Sequence, residues 1–552
     1  MRLKRPRSWV QWLRRLCQAL FLALFLWFVL IARFRASEDG PGLIRFFFEL
    51  DPLVVVATFL STHTLVRGAL LALAVIIATM VLGRVFCGWV CPLGAVHALA
   101  SACRPRRKGR KDFESRSPWQ RGKYFALVAL LVMALFGVQW TGIFDPIPLL
   151  YRSVATAVLP ATQYAVQEPA TAIYKADPKI GGFHLTSISE PVYEFSRDAI
   201  FRVERQSFLQ STGIAFLFIG IVALNFVRPR FWCRYVCPLG GLLGLIAGRP
   251  VLRLHNDESA CTNCGKCNLA CPAAAQPDQR GKWLPSECYG CWNCVAACEG
   301  HAIAFKWESP FRKPNAGAVD FSRRATLAAG VTGVASLLAL RLPPPARNQQ
   351  PLPALLIRPP GAREERAFLQ RCIQCGLCMR ACPTNGLQPC GLEAGLEALW
   401  TPKLVPKIGY CQFNCALCGQ VCPTEAIQPM PLVEKQTLKI GLAVFDTSRC
   451  LPHNYGRECI VCEEHCPLPK KAIYLINKDV LLHDGSTKQI KQPFVDPDLC
   501  IGCGICEWSC VYRDQAAIRV VAANEARNTY NQPILPDYGG MDRYAVARAS
   551  RP

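Results

Sequence analysis

Cysteine is the residue type with the most chemical potential in this chain, and its spacing is regular. Of 31 cysteines, 24 fall into six sets of four. Four sets keep the spacing C-x2-C-x2-C-x3-C, namely Cys261, Cys264, Cys267 and Cys271; Cys288, Cys291, Cys294 and Cys298; Cys372, Cys375, Cys378 and Cys382; and Cys500, Cys503, Cys506 and Cys510. The other two have a wider first gap, and they are Cys411, Cys415, Cys418 and Cys422; and Cys450, Cys459, Cys462 and Cys466. A short turn with this spacing presents three thiolates to one [4Fe-4S] cubane, and the fourth cysteine reaches a partner cubane. The sequence therefore predicts six [4Fe-4S] clusters with these cysteines as iron ligands.

Zinc and disulfide bonds are the alternatives for so many cysteines. A structural zinc site needs two C-x-x-C pairs per ion and has no use for a third spaced cysteine or for a C-P ending. Disulfide frameworks are spread along secreted chains rather than packed into short runs. The pattern thus favours iron-sulfur clusters and the transfer of electrons.

Four apolar stretches in the first half of the chain precede the cysteine sets and could position them relative to a membrane. They cover residues 17–32, 65–86, 123–141 and 208–227 in a chain that is 51% hydrophobic. Each is about long enough to span the hydrocarbon of a bilayer as a helix. We predict an α-helical membrane domain with four spanning helices.

The net charge of +24 follows these helices and does not indicate a nucleic-acid partner. Basic residues cluster at 2–15, before the first predicted helix, and at 104–111, between the second and the third. Excess Lys and Arg marks the cytoplasmic side of a membrane protein. This orientation places 33–64 and 142–207 outside and the two cysteine sets of 261–298 in the cytoplasm.

A second basic and apolar segment precedes the last four sets. Ser322-Arg323-Arg324 is followed by a run rich in Ala, Gly and Leu that ends near Leu340. A twin arginine before a weakly apolar helix is typical of the export signal of folded, cofactor-loaded proteins, and an ordinary membrane helix with a basic flank is the alternative. Both interpretations predict a fifth helix that stays as an anchor and put residues 346–552 on the periplasmic side.

Two nearly identical strings lie inside the apolar half. They run from Cys87 through Cys91 and from Cys233 through Cys237, and each has the form C-x3-C-P-L-G. Spacing of four puts each pair on one helical face, so the four cysteines are a candidate site for a metal or a redox dithiol. The alternative is that they are small buried residues beside a helix-ending proline.

Asp-Pro pairs recur upstream of the two strings. Asp51 and Asp145 lie in the predicted outer loops, where a carboxylate could accept the protons that quinol oxidation releases. Asp-Pro is also a common helix start, and His63 is a weaker candidate for the same site. The chain contains no C-x-x-C-H motif and no nucleotide-binding glycine loop, so neither haem c nor a nucleotide is expected.

The motifs together resemble known families. The four helices, the C-x3-C-P strings and the double set at 261–298 resemble NapH, the membrane quinol dehydrogenase component of periplasmic nitrate reduction, and its relatives NosR and MauN. The twin-arginine segment and the four sets at 372–510 resemble the exported polyferredoxins NapG and MauM. The chain is similar to the two modules fused head to tail. The domains expected are 1–250, the four-helix membrane domain; 251–310, a cytoplasmic two-cluster ferredoxin; 311–345, the twin-arginine-like anchor; and 346–552, a periplasmic four-cluster polyferredoxin.

This resemblance implies α+β ferredoxin folds and a quinol dehydrogenase component in the bacterial inner membrane. Its partners would be the membrane quinone pool and a periplasmic reductase or cytochrome. In the two-cluster ferredoxin, the fourth cysteine of each set completes the other set. In 346–552 the resemblance implies nested pairs, although sequential pairing satisfies the same spacing. The nested pairs are Cys372, Cys375 and Cys378 with Cys510; Cys500, Cys503 and Cys506 with Cys382; Cys411, Cys415 and Cys418 with Cys466; and Cys450, Cys459 and Cys462 with Cys422.

Two other functions fit the same residues. A factor that matures a periplasmic metalloenzyme or senses its redox state would also carry clusters on both sides of a membrane. Electrons could also flow in reverse, into the quinone pool, because the environment of a cluster sets its potential over a wide range.

Overall fold

The chain folds into a helical domain and two cysteine-rich units built from short helices and hairpins. The computed structural model describes residues 8–32, 41–65, 68–103, 116–177, 179–180, 183–184, 186–201, 205–278, 283–309, 322–341, 353–481 and 486–527. We call 252–307 the two-set unit and 353–527 the four-set unit, after the cysteine sets that each contains. The basic cluster at 104–111 and part of that at 2–15 lie outside the described residues.

The helical domain contains thirteen α-helices within the described residues. They are α1 Trp9–Ile31, α2 Pro41–Glu49, α3 Pro52–Thr62, α4 Ala69–Leu82, α5 Pro92–Ala102, α6 Gly122–Leu135, α7 Thr141–Phe144, α8 Pro146–Ser153, α9 Leu159–Ala176, α10 Thr186–Phe195, α11 Ser211–Ala223, α12 Phe231–Tyr235 and α13 Pro238–Ile246. π-Helical turns cover Phe86–Val90, Val154–Val158 and Ser196–Phe201, and a two-stranded hairpin joins β1 Lys179–Ile180 to β2 Phe183–His184.

Each of the four predicted membrane spans contains a helix, and three of these helices are shorter than predicted. In the described part of the chain, α1 alone is long and apolar enough to cross a membrane, with 23 residues. The helices α4, α6 and α11 have 14, 14 and 13 residues. Glycine explains the length of α4, because Gly68 and Gly83 bracket it with φ of 90° and 78°, outside the right-handed helical region.

Four helices of the domain begin in the same way. Asp51, Cys91, Asp145 and Cys237 each precede a proline at the first helical position, and each side chain accepts a backbone N–H of the first turn. Proline is favoured at that position because its missing N–H would have no partner there. The duplicated arrangement of Asp-Pro loop and C-x3-C-P string is therefore also duplicated in structure.

The two cysteine-rich units pack at opposite ends of α1. Near its start, the side-chain amide of Gln11 donates to Oδ1 of Asn293 in the two-set unit at 3.2 Å. Near its end, the carbonyl of Val29 accepts from Nε of Arg380 in the four-set unit at 3.1 Å. Eighteen residues of helix separate these contacts, or about 27 Å at 1.5 Å per residue.

The two-set unit is a small α+β fold. Its strands β3 Leu252–Asn256 and β4 Ile303–Trp307 form an antiparallel pair that closes the unit. Between them lie α14 Lys266–Leu269 and α15 Asn293–Ala297, which carry cysteines of the two sets.

One helix, α16 Arg323–Arg341, follows the two-set unit and precedes the four-set unit along the chain, and it packs against α6. A Cβ built on Gly333 would lie 2.9 Å from the carbonyl oxygen of Ala129, so glycine allows the two helices to approach closely. Leu337 and Leu340 pack with Leu130 and Met133 in the same contact. The predicted fifth helix is thus present with 19 residues.

The four-set unit contains short elements throughout. Its helices are α17 Glu365–Arg371, α18 Leu377–Ala381, α19 Leu417–Gln420, α20 Leu432–Thr437, α21 Leu451–Asn454, α22 Val461–Glu464 and α23 Ile505–Ser509. Its strands are β5 Leu387–Pro389, β6 Pro402–Leu404, β7 Leu442–Phe445, β8 Ile473–Leu481, β9 Thr487–Val495 and β10 Ile518–Val521, paired antiparallel as β5 with β6, β7 with β10 and β8 with β9. Pairing of β7 with β10 closes the second half of the unit as β3 and β4 close the two-set unit.

Candidate iron-sulfur sites

Four cavities in the four-set unit are each lined by four cysteines. Their volumes are about 350, 380, 350 and 330 Å³. Site A is lined by Cys372, Cys375, Cys378 and Cys422; site B by Cys382, Cys411, Cys415 and Cys418; site C by Cys450, Cys459, Cys462 and Cys510; and site D by Cys466, Cys500, Cys503 and Cys506. Every cysteine of the four predicted sets lines one cavity.

This arrangement is sequential, and the nested pairing is wrong. Site A is completed by Cys422 rather than Cys510, and site B takes Cys382 rather than Cys466. The reason lies in helix neighbours: α18 packs against α19, and α22 packs against α23. Each helix carries the third cysteine of its own set and ends beside the fourth, so neighbouring sets exchange their fourth cysteines.

The cavities suit a group that takes thiolate ligands. Site A is otherwise lined by side chains such as Phe368, Leu377 and Ile427. Burial raises the pKa of Cys375 and of Cys503 to about 12, so at neutral pH these thiols keep their protons until a metal displaces them. When bound, a [4Fe-4S] cluster supplies a one-electron carrier.

No three or more His, Cys, Asp or Glu side chains of the described residues converge as they would around a single metal ion. This holds for the six cysteine sets as well. The thiolates of a cubane bind four separate iron atoms, so its ligands need not meet at one point.

The two-set unit pairs its cysteines as predicted. Cys271 interacts electrostatically with Cys288, Cys291 and Cys294, and we call this group site F. Cys267 interacts with Cys298. We call these two cysteines site E, together with Cys261 and Cys264, which the spacing predicts as its other ligands. In site F the sulfur of Cys271 accepts the N–H of Ala275 at 3.4 Å.

The four sites of the larger unit lie in the order A, B, D, C. Sites A and B exchange fourth cysteines, as do sites C and D. The two halves meet between B and D, where the N–H of Cys411 donates to the carbonyl of Cys503 at 2.8 Å. The ring of Tyr410 lies 5.2 Å from that of Trp508 at the same junction.

Site A adjoins the helical domain. Nη1 of Arg152, at the end of α8, donates to the carbonyl of Gln374 at 2.8 Å, and the amide of Gln374 donates to the carbonyl of Gln139 at 3.0 Å. Gln374 lies between two cysteines of site A. A Cβ built on Gly142 would lie 1.9 Å from the carbonyl oxygen of Ile373, so only glycine fits beneath this turn.

Site F adjoins the other end of the helical domain. The indole N–H of Trp89 donates to the carbonyl of Gly290 at 2.9 Å. A Cβ built on Gly88 would lie 2.4 Å from the carbonyl oxygen of Tyr289. Each ferredoxin unit is therefore held through a close approach of backbone at a glycine of the helical domain.

Asp51 and Asp145 form a buried pair. Both are fully buried, and one oxygen of each accepts an N–H of its own helix, from Leu53 at 2.9 Å and from Ile147 at 3.3 Å. The second oxygen of each has no hydrogen-bond partner in the described residues, and the two side chains interact with each other. Two ionised carboxylates repel each other in a buried site, so the pair favours a state in which one carboxyl carries a proton.

The pKa values of the two acids reflect this setting. Burial raises the pKa of Asp51 to about 6. Burial and the neighbouring charge of Asp51 raise the pKa of Asp145 well above its usual range. The pair therefore holds a proton on Asp145 at neutral pH. The helix-start interpretation of both Asp-Pro pairs is also confirmed, since each aspartate caps its helix.

His63 does not join this pair. It is the exposed residue that caps the C-terminus of α3, with φ of 54°, and its ring contacts that of Phe59. Three cysteines, Cys17, Cys103 and Cys390, belong neither to the six sets nor to the C-x3-C-P strings. Of these lone cysteines, Cys390 is fully buried and its sulfur lies 3.6 Å from Nη1 of Arg358.

The four C-x3-C-P cysteines are all buried and interact electrostatically with one another. The expectation that each pair lies on one helical face is wrong. Cys87 lies in the π-helical turn and Cys233 in α12, whereas Cys91 and Cys237 cap the helices that follow. The following proline is the cause, because it drives the preceding residue out of the helical region.

The sequence reasoning missed the buried cations beside these cysteines. Arg84 and Arg230 are almost fully buried, and each stands three residues before the first cysteine of its string. The repetition of an arginine at the same position in two apolar segments is the sequence pattern that predicts these buried cations.

Three family descriptions match parts of the chain. Residues 64–111 and 211–255 match a 4Fe-4S binding domain, and these two segments contain the C-x3-C-P strings. Residues 253–299 match a 4Fe-4S dicluster domain, which covers the two-set unit. Residues 369–388 and 493–510 match a second 4Fe-4S binding domain in the four-set unit.

Curated proteins also match. The methylamine utilization ferredoxin-type protein MauM of Methylorubrum extorquens is 37% identical over 36% of this chain and 89% of its own length. The ferredoxin-type protein NapG of Escherichia coli is 35% identical over 31% of this chain and 72% of NapG. The putative electron transport protein YccM of Escherichia coli is 26% identical over 47% of this chain and 61% of YccM. No solved structure matches. With its six cysteine sets and this degree of identity, the chain belongs to the ferredoxin-type iron-sulfur proteins that include MauM and NapG, which carry electrons.

Proposed function

We propose that the chain is a membrane quinol dehydrogenase component that passes electrons through the four-set unit to a periplasmic redox partner. The observation that carries the proposal is the position of site A. Its turn packs directly on α7 and α8, next to the buried pair of Asp51 and Asp145. A proton acceptor in the helical domain thus adjoins the first electron acceptor, which belongs to the four-set unit.

The surface of the helical domain supports a membrane setting. Large apolar side chains point outward on several helices, including Leu70 of α4 (82% exposed), Phe216 of α11 (72%) and Leu338 of α16 (68%). Apolar side chains exposed to this extent on several helices favour lipid contact. The span of about 27 Å between the two units along α1 is close to the ~30 Å of bilayer hydrocarbon.

The aspartate pair supports quinol as the donor. Oxidation of a quinol to a quinone releases two electrons and two protons, so the site needs a base that accepts one proton with each electron and passes it to the outer solvent. With its pKa of about 6, Asp51 is such a base above that pH, whereas Asp145 keeps its proton. Both side chains are enclosed in this structure, so a quinol headgroup must displace neighbouring side chains to reach them.

The helix α8 links the pair to site A. Asp145 begins α8, and the same helix ends with Arg152, whose guanidinium holds the turn of site A at Gln374. Tyr151 is 1% exposed beside the cysteines of site A. From site A the order A, B, D, C leads away from the helical domain and makes site C the exit toward a partner.

Steady-state turnover tests this function. The intact chain in lipid nanodiscs is given a reduced menaquinol analogue, with ferricyanide as the electron acceptor, under anaerobic conditions. We expect turnover that rises as the pH passes about 6, since Asp51 accepts a proton only when ionised.

The variant D51N should lower turnover by about a hundredfold, in the range of lost general base catalysis, because Asp51 is the member of the pair that accepts the proton. The matched control is D177N, because Asp177 lies on the surface of the same domain. Equal turnover in both variants would exclude the pair from the reaction. A chain that is loaded with iron and never oxidises quinol would support the maturation or redox-sensing role instead, and reduction of quinone by pre-reduced chain alone would support reverse flow.

A further inference from the structure

The C-x3-C-P strings have no role in the function proposed above. Their four cysteines are buried at the end of the helical domain that holds the two-set unit. The sulfurs of Cys91 and Cys237 accept the N–H groups of Gly94 and Gly240 at 3.4 and 3.2 Å, each at the start of a helix. A helix N-terminus stabilises negative charge, so both sulfurs lie where a thiolate that is bound to a metal gains electrostatic stabilisation.

Buried positive charge surrounds these cysteines. The side chains of Arg84, Lys123, Arg230 and Arg234 are each at most 2% exposed. Arg84, Lys123 and Arg230 act electrostatically on Cys233. A Cβ built on Gly240 would lie 2.7 Å from Nη2 of Arg84 and 3.4 Å from Sγ of Cys237, so that guanidinium nitrogen lies beside the sulfur.

Glu287 is the carboxylate that meets this group in the described residues. Its Oε2 contacts Nη1 of Arg84 at 3.4 Å and also the ammonium of Lys123. Nη2 and Nε of Arg84 and Nη2 of Arg230 have no hydrogen-bond partner. One carboxylate against Arg84, Lys123 and Arg230 leaves an excess of positive charge, and buried charges of this kind are costly unless negative groups compensate them.

The excess of buried positive charge arises from residues that recur in the two repeats. Arg84 stands three residues before Cys87, and Arg230 stands three residues before Cys233. The two guanidinium groups lie over the ring of Tyr289, at 5.2 and 5.0 Å from its centroid. Each repeat thus brings one arginine and two cysteines to the same place.

We propose that Cys87, Cys91, Cys233 and Cys237 together hold one iron-sulfur cluster, and that Arg84 and Arg230 compensate its negative charge. Neither segment that matches the 4Fe-4S binding domain has four suitable cysteines of its own, and the fold brings the two pairs together. Four thiolates around an iron-sulfide core give the cluster a net negative charge, and this charge compensates the excess positive charge of the buried cations. Tyr289 follows Cys288 of site F, so the centre adjoins the two-set unit. The inference does not depend on quinol oxidation.

Iron analysis tests the ligands. The intact chain and the double variant C91S/C237S are purified anaerobically, and iron, zinc and sulfide are counted beside Mössbauer spectra. We expect the variant to lose about four iron atoms if the centre is a cubane, or about two if it is a two-iron cluster. The matched control C17S/C103S changes two lone cysteines and should lose none. Unchanged iron in C91S/C237S, or zinc in place of iron in the intact chain, would overturn the proposal.

A redox titration tests the arginines. Removal of a compensating positive charge favours the less negative, oxidised state, so R230M should lower the midpoint potential of the extra centre with iron content unchanged. R230K keeps the charge and should restore most of the potential. If R230M has the potential of the unaltered chain while it retains all its iron, Arg230 does not compensate the centre. The variant R84M repeats the measurement should R230M fail to accumulate.

Discussion

Replacement of Gly142 by alanine should separate the four-set unit from the helical domain. The new Cβ would lie 1.9 Å from the carbonyl oxygen of Ile373 and 2.7 Å from its carbonyl carbon. Nonbonded contacts of a Cβ below 3.0 Å essentially do not occur, and here the contact is with backbone. The turn of site A must therefore move by roughly 1 Å.

This movement breaks two hydrogen bonds that hold site A. The bonds from Gln374 to Gln139 and from Arg152 to Gln374 are 3.0 and 2.8 Å long, and a shift of that size takes both out of range. A neutral bond contributes about 1 kcal/mol and one from a charged donor about 2 kcal/mol. The sum of about 3 kcal/mol corresponds to roughly a hundredfold weaker docking.

Two assays measure the weaker docking of the four-set unit on the helical domain. Stopped-flow absorbance measures how fast a menaquinol analogue bleaches the intact chain, and hydrogen exchange measures protection of the amides around Gln374. We expect slower bleaching and faster exchange, with unchanged iron, because all ligands of site A lie within the four-set unit. The control is G220A, since a Cβ on Gly220 has nothing within 4 Å. If G142A matched G220A in both assays, the docking argument would be refuted.

Three further changes have expected outcomes. Burial opposes ionisation of Glu365, but the guanidinium groups of Arg358 and Arg527 lower its pKa from 4.5 to about 2. This shift corresponds to about 3 kcal/mol of stability, which is present above pH 4.5 and is lost as the pH falls toward 2. The free energy of unfolding should fall over this pH range in the unaltered chain and not in E365Q, and the same pH dependence in both chains would contradict this. C422A should remove site A and block bleaching of the clusters by quinol. C510A should remove site C and leave bleaching of the other sites intact. If C510A removed site A and C422A did not, the nested pairing would be correct. G88A should loosen the two-set unit alone, as measured by hydrogen exchange, and loss of protection in the four-set unit would contradict this.

Much of the cofactor chemistry could be predicted because cysteine spacing is a local property. Three thiolates on one turn bind one cubane wherever the turn lies, so the cysteines of all four cavities were found in advance. The choice between Cys422 and Cys510 for site A is not local. It depends on which short helices pack together, and the spacing is the same for both arrangements.

Other features depended on contacts that no short pattern carries. Gly142 and Gly88 look like ordinary glycines, and their importance appears only when a carbonyl of another unit lies against each of them. Spacing of four predicted Cys87 and Cys91 on one helical face, but the proline after Cys91 starts a new helix there. The pairing of Asp51 with Asp145 required the two repeats to face each other.

The central claim is that electrons enter this chain from quinol. The most direct measurement is anaerobic: iron is counted in the intact chain, a reduced menaquinol analogue is added, and cluster bleaching and electron paramagnetic resonance are followed together. The proposed function predicts about 24 iron atoms in the six cysteine sets, with rapid reduction that begins at site A. A full count of iron with no response to quinol would contradict it.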